Sequence, residues 1–119
     1  MAIQMRYGAS REAAAGVFEL VWENSAPTSA FAAQTVNLDL SPYSAVAVEI
    51  NLMGSATEQA VGIVMMGTAA TIFGRPAAAA TTYGRQAAVS ATGVVFSNGH
   101  NGSTYGQSYA IPRRIFGIR

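Results

Sequence analysis

QTVNLDLSPYSAVAVEINL, residues 34–52, is the stretch whose reading decides the fold. In its first half Val36, Leu38 and Leu40 alternate with Thr35, Asn37 and Asp39. In its second half Val46, Val48, Ile50 and Leu52 form the apolar set, with Glu49 and Asn51 facing out. A period of two is the mark of a strand with one buried face. Ser41-Pro42 separates the two runs, and proline pre-sets the dihedral of a turn while lacking a donor for a sheet. Strands this close in sequence are expected to pair antiparallel.

Upstream, Phe18, Leu20 and Trp22 share one face of a strand running from Val17 to Glu23, with Glu19 and Glu23 on the other. Pro27 breaks the chain in a loop from Asn24 to Ser29, and Phe31 is placed to plug the core. Residues 1–16 read as an N-terminal arm, with a short helical turn capped by Ser10. Downstream, Gly54 to Thr57 reads as a turn. Gln59 to Met66 is apolar on both faces, Val61, Ile63 and Met65 against Val64 and Met66, as in a strand buried on both sides. A second apolar face in a small antiparallel domain points to a contact between subunits.

Ala70 to Phe73 reads as a strand, and so does Gly84 to Ala91, with Arg85, Ala87, Val89 and Ala91 on one face. Val94 to Ser97 is a short strand, and Asn98-Gly99 carries a hairpin-turn signature. The polar loop NGHNGSTYG, residues 98–106, follows. The last strand spans Ser108 to Arg119, where Pro112 requires an edge or a bulge. Ile111 and Ile115 lie on one of its faces, Phe116 and Ile118 on the other.

Short strands, regular turns and no long helical period give an all-β fold. The expectation is an antiparallel β-sandwich, jelly-roll-like, of about eight short strands in a single domain over residues 17–119. Its expected core contains Trp22, Phe31, Leu38, Leu40, Val48, Ile50, Phe96, Ile111 and Ile115.

Composition narrows the function. Charged residues make up 11% of the chain, against an average of about 25%. All seven basic residues are arginines, and hydrophobic residues make up 50%. Charge depletion with arginine retained is the signature of the core of an interface. The expectation is a chain that assembles with copies of itself. Scattered arginines supply no phosphate-binding stripe, which argues against nucleic acid. Apolar runs such as Ala60 to Ala70 are interrupted by Gly62 and Gly67 and are shorter than the ~20 residues of a spanning helix, so no membrane insertion is expected. The start, MAIQMRYGAS, lacks the basic and apolar regions of a signal peptide, so assembly in a cytoplasm is expected.

The segment from Val21 to Leu40, VWENSAPTSAFAAQTVNLDL, resembles the opening of small β-rich domains of bacteriophage virion proteins. Its carriers are Pro27-Thr28-Ser29 and Phe31-Ala32-Ala33-Gln34. SPYSAVAVEI resembles the strand that follows in those domains. RQAAVSATGVVFS (Arg85 to Ser97) and YAIPRRIFGI (Tyr109 to Ile118) resemble their closing strands, with Ile111-Pro112 and Gly117 as markers. The resemblance covers most of residues 21–118. It implies a non-enzymatic virion protein of a tail, baseplate or fibre appendage, or, as the alternative, a capsid decoration or head-fibre protein. The partners expected are its own copies, as a trimer, and other virion proteins.

Candidate chemistry is sparse. A Ser-His-Asp triad would have to use the single histidine, His100, and the single aspartate, Asp39, which fall in a loop and on an outward strand position. One histidine and no cysteine cannot make a zinc site, and no calcium loop is present, so no cofactor is expected. Glu19, Glu23, Glu49 and Glu58 are the carboxylates from which a glycosidase pair would have to come, with no aromatic-lined cleft evident around them. The candidate assembly surface is Val64, Met66, Arg113, Arg114 and Phe116, with Arg113 and Arg114 on opposite faces of the last strand. The candidate contact loop is His100, Asn101 and Tyr105, where tyrosine gives a large amphipathic area. A carbohydrate-binding module with a host-surface glycan as ligand is the alternative of a different class.

Overall fold

The computed structural model describes residues 17–53, 58–77 and 79–119. The expected arm over residues 1–16 and the turn at 54–57 lie outside the described residues. The rest is an all-β, antiparallel sandwich. Its strands are β1 (Phe18–Glu23), β2 (Gln34–Asn37), β3 (Ala45–Asn51), β4 (Gln59–Met65), β5 (Ala69–Gly74), β6 (Tyr83–Ser90), β7 (Gly93–His100), β8 (Tyr105–Gly106) and β9 (Ile111–Ile118). Sheet A has the order β1-β9-β3-β4; sheet B has β2-β7-β6-β5, with the short β8 beside β7. The first three strands alternate between the sheets, as in a jelly roll, and β9 and β7 return between or beside them. β3–β4 and β5–β6–β7 are consecutive hairpins, the β6–β7 pair with a register shift between Arg85 and Ala87.

The two halves of residues 34–52 do not pair with each other, contrary to expectation. β2 pairs with β7 and β3 with β4 and β9. The turn explains this. Leu40 N–H donates to Ala91 O (2.8 Å) in sheet B, whereas Ser44 N–H donates to Ile118 O (2.8 Å) in sheet A. Different sheets hold the backbone on either side of Ser41-Pro42-Tyr43, so the turn crosses the sandwich instead of closing a hairpin.

β1 is not uniformly amphipathic either. A bulge falls between Leu20 and Trp22. It turns Phe18 and Leu20 outward, while Val21 and Trp22 pack on the core. β4 turns the candidate assembly residues inward: Val64 is buried and Met66 packs against the core, while Val61, Ile63 and Met65 face solvent. Space decides. Ala60, Gly62 and Val64 point inward where β5 closes over β4, and a Cβ on Gly62 would come within 2.9 Å of Ile72 Cγ1. The larger side chains do not fit there, so they take the other face.

Asn98-Gly99 is not a turn. β7 runs through both residues, and the chain reverses at Asn101 to Thr104, where Asn101 Oδ1 accepts from Ser103 N–H (3.3 Å) and Thr104 N–H (2.9 Å). Gly99 is required for another reason: a Cβ there would strike the carbonyl oxygen of Tyr109. Pro112 lies in a central strand, made tolerable by a β-bulge between it and Arg114.

All the expected core residues lie in or against one cluster. Trp22, Phe31 and Phe96 contact one another, with edge-to-face centroid distances of 6.1 Å (Trp22–Phe31) and 5.7 Å (Phe31–Phe96). Beside them, Arg85 is 0% exposed. Its Nε donates to Ala110 O (2.9 Å), Nη1 to Phe31 O (3.0 Å) and Ser97 O (2.7 Å), and Nη2 to Gln107 O (3.2 Å) and Tyr109 O (2.9 Å). The guanidinium also sits 5.4 Å from the Phe31 ring centroid. No carboxylate is among these partners. Burial pushes the Arg85 pKa down to about 10, which leaves the group charged at neutral pH. Ala110, at φ 50°, sits in the left-handed region and is held by its N–H bond to Leu52 O (3.1 Å) and by Arg85 Nε.

Arg85→Met is expected to strand these carbonyls and cost about 3–5 kcal/mol of stability, the size of loss seen when one side of a buried charged interaction is removed. Arg85→Lys, with three donors and no fork, should recover only part of it. Urea denaturation of the three proteins measures both.

Candidate functional site

The outer face of sheet A carries the exposed apolar side chains of Phe18, Leu20, Val61, Ile63 and Met65. Strand register lays its outward residues in rows across β1, β9, β3 and β4. The first row is Phe18, Ile118, Ala45, Met65; the second is Leu20, Phe116, Ala47, Ile63. Both rows are wholly apolar. Phe18, Leu20, Ile63 and Met65 are 53–58% exposed. Ala45 and Ala47 on β3, each 3% exposed, lie between Phe116 and Ile118 on one side and Ile63 and Met65 on the other. Contiguous apolar side chains of this kind make this face the candidate interaction surface.

The third row is Glu23, Arg114, Glu49, Val61. Glu49 was expected to face out and does, but it is only 8% exposed, since two guanidiniums lie over it. Arg113 Nη1 donates to Glu49 Oε1 (2.7 Å); Arg114 donates through Nε to Oε1 (2.6 Å) and Nη2 to Oε2 (3.2 Å). Arg113 and Arg114 were expected on opposite faces. The bulge after Pro112 corrects that: Arg113 is the extra residue, so both side chains reach one carboxylate of the same chain. Arg114 also stacks at 5.4 Å over Phe116, joining this charged row to the apolar ones.

The hydrogen bond from Arg114, followed by that from Arg113, holds the Glu49 carboxyl below the usual carboxylate range, against the opposing effect of burial. On the opposite side of sheet A, at its β1 edge, Glu19 Oε1 accepts from Tyr43 Oη (2.6 Å), and Arg119 donates to both Glu19 oxygens (3.1 Å each). Arg119 lowers the Glu19 pKa most, with Tyr43 next.

Of the candidate assembly residues, Phe116 lies in the second apolar row and Arg113 and Arg114 border it. Val64 and Met66 are withdrawn into the core; Val61, Ile63 and Met65 stand in their place. The small inward partners Ala60 and Gly62 were the sequence signal for that placement. Arg85 went unnoticed as a buried group. Its alternation with Ala87 and Val89 put it on the inner face, but its carbonyl partners come from segments distant in sequence.

The contact-loop residues gather on the outer face of sheet B. His100 packs against Tyr105 (centroids 5.6 Å), and Asn101 shapes the turn between β7 and β8. Thr71, Gln86, Ser97, Asn98, His100 and Tyr105 line a depression of about 240 Å³. Asp39 is engaged by Ser41 N–H and Oγ, and His100 Nδ1 accepts from Gly102 N–H (3.3 Å), so the two do not form a triad. Glu58 accepts from Ala77 N–H (2.6 Å). Among the described residues no group of three or more His, Cys, Asp or Glu side chains is placed to hold a metal. Comparisons with family models, curated proteins and solved structures returned no match.

A carboxylate whose folded-state pKa is depressed stabilises the fold above its unfolded pKa, and that stability disappears as pH falls through the folded value. Glu49, Glu19 and Asp39 are all shifted this way. Stability is therefore expected to be level near neutrality and to fall as pH drops below about 4.5. Glu49→Gln should cost about 1–2 kcal/mol at pH 7, reduced by the part exposure of both arginines. It should also flatten part of the acid limb, as followed by thermal denaturation across pH.

Proposed function

We propose that this chain is a non-enzymatic structural protein of a bacteriophage particle: a self-assembling β-sandwich of a tail, baseplate or fibre appendage. The observation that carries the assembly reading is the pair of uninterrupted apolar rows on the outer face of sheet A. A chain with so few charges exposes there the surface it can least leave to water. The occupant is a second copy. The exposed Ile63 and Met65 of the β4 edge suit the exposed Phe18 and Leu20 of the β1 edge of another copy. The bordering row is charge-balanced, Glu23 and Glu49 against Arg113 and Arg114, so like copies meet without repulsion. A β4-to-β1 contact is unequal on its two sides, and such contacts make rings where the rotation between copies closes. A trimer is the stoichiometry proposed. The virion assignment rests on the sequence resemblance at residues 27–34, 85–97 and 109–118.

Native mass spectrometry of the full chain is expected to give an oligomer. Ile63→Asp should shift it to the single chain and abolish the dependence of the unfolding midpoint on protein concentration. Val95→Asp, on the exposed face of sheet B, should leave the mass unchanged. A wild-type protein that stays monomeric at high concentration would overturn the assembly reading.

A further inference from the structure

The depression on sheet B is unused by that assembly, and its chemistry is of a different kind. Thr71, Gln86, Ser97, Asn98, His100 and Tyr105 line it. Beneath them Gly84 in β6 lets Thr71 and His100 approach each other, since a Cβ there would meet Thr71 Cγ2 at 3.0 Å and His100 Nε2 at 3.1 Å. Its walls are polar and carry unused hydrogen-bonding capacity. His100 Nδ1 accepts a backbone N–H, which assigns the proton to Nε2 and makes that atom a donor beside Gly84. Asn98 Oδ1 accepts from Ala33 N–H (3.2 Å), leaving its amide nitrogen to donate. The Gln86 amide, the Thr71 hydroxyl and the Tyr105 hydroxyl have no hydrogen-bond partner among the described residues. Tyr105, 74% exposed, offers an open aromatic face at the rim.

This set selects its ligand by elimination. The lining holds no arginine and no carboxylate, so it offers neither ion-pair partner for a charged ligand. An apolar ligand would strip water from several polar groups and return no hydrogen bonds. A ligand rich in hydroxyls, each both donor and acceptor, satisfies the amides, the hydroxyls and the imidazole together, and its C–H face can lie on Tyr105. The volume is below the ~300 Å³ at which drug-sized pockets begin, and fits one ring with the rest of the molecule in solvent. We infer that the outer face of sheet B binds a neutral sugar, a single uncharged pyranose unit at the end of a glycan, through Gln86, Asn98, His100 and Tyr105.

The site does not depend on the assembly reading. It lies on the face opposite the apolar rows, and an oligomer joined through sheet A would present one copy per chain, so that weak single sites act together on a multivalent surface.

Saturation-transfer NMR of the full chain with a panel of neutral methyl glycosides tests it. At least one glycoside is expected to bind with a Kd of about 1 mM, as befits a shallow, wet site. Tyr105→Ala and Gln86→Ala should each weaken binding about tenfold or more while leaving the native mass unchanged. Ile63→Asp should alter the mass and leave binding intact, so the two proposals fail separately. No transfer to any glycoside at about ten times that concentration, or binding undiminished in both site variants, would overturn the inference. Saturable binding of inorganic phosphate in place of sugar would overturn it as well.

Discussion

A guanidinium buried without a counter-ion is the constraint on which the rest of this fold depends. Removing a cation from water costs several kcal/mol unless every donor is satisfied. Arg85 meets that condition through backbone carbonyls alone, drawn from the β1–β2 loop at Phe31, from β7 at Ser97 and from the β8–β9 segment at Gln107, Tyr109 and Ala110. The β1–β2 loop and the β8–β9 segment have little regular structure of their own, and a fork of fixed geometry sets where each carbonyl must lie. Consequences spread from there. Ala110 is held in a left-handed conformation, Gly99 must lack a side chain to let Tyr109 approach, and Phe31 is fixed between the cation and the aromatic pair Trp22 and Phe96.

Bulges do similar work in sheet A. One at Val21 turns Phe18 and Leu20 outward while keeping Trp22 in the core. Another at Arg113 brings two arginines to Glu49 and admits Pro112 to a central strand. Without these single-residue insertions each strand would keep one alternation throughout, and sheet A would not end up with apolar rows bordered by a neutralised charged row. The two outer faces differ in consequence. Sheet A presents apolar bulk on either side of Ala45 and Ala47, and sheet B presents amides, hydroxyls, an imidazole and a phenol around one depression.

Much of this was legible in the chain. Val46, Val48, Ile50 and Leu52 read as inward residues and are buried, and so are Val36 and Leu40. Phe31, Phe96, Ile111 and Ile115 also read as core and lie there. Less legible was any feature set by a partner strand. Gln59 to Met66 is apolar on both sides, so periodicity could not say which side was inside; the space left by Ile72 could. The Asn98-Gly99 pair carries the residues of a turn but is occupied by strand, because its glycine serves a close backbone approach. Arg113 and Arg114 alternate on paper and converge in space because one of them is a bulge.

The sequence by itself determined that this protein is all-β, that its period-two runs supply one core, and that its few charges cannot solvate its whole surface. Those are properties of spacing and composition, which act residue by residue along the chain. Only the tertiary structure decided which strands share a sheet, which apolar face of β4 meets water, that Arg85 is buried among carbonyls, and that polar groups from β5, β6, β7 and β8 meet around one depression. Each of these depends on atoms brought together from distant parts of the chain, where packing space and hydrogen-bond supply, rather than local pattern, select between arrangements the sequence permits equally.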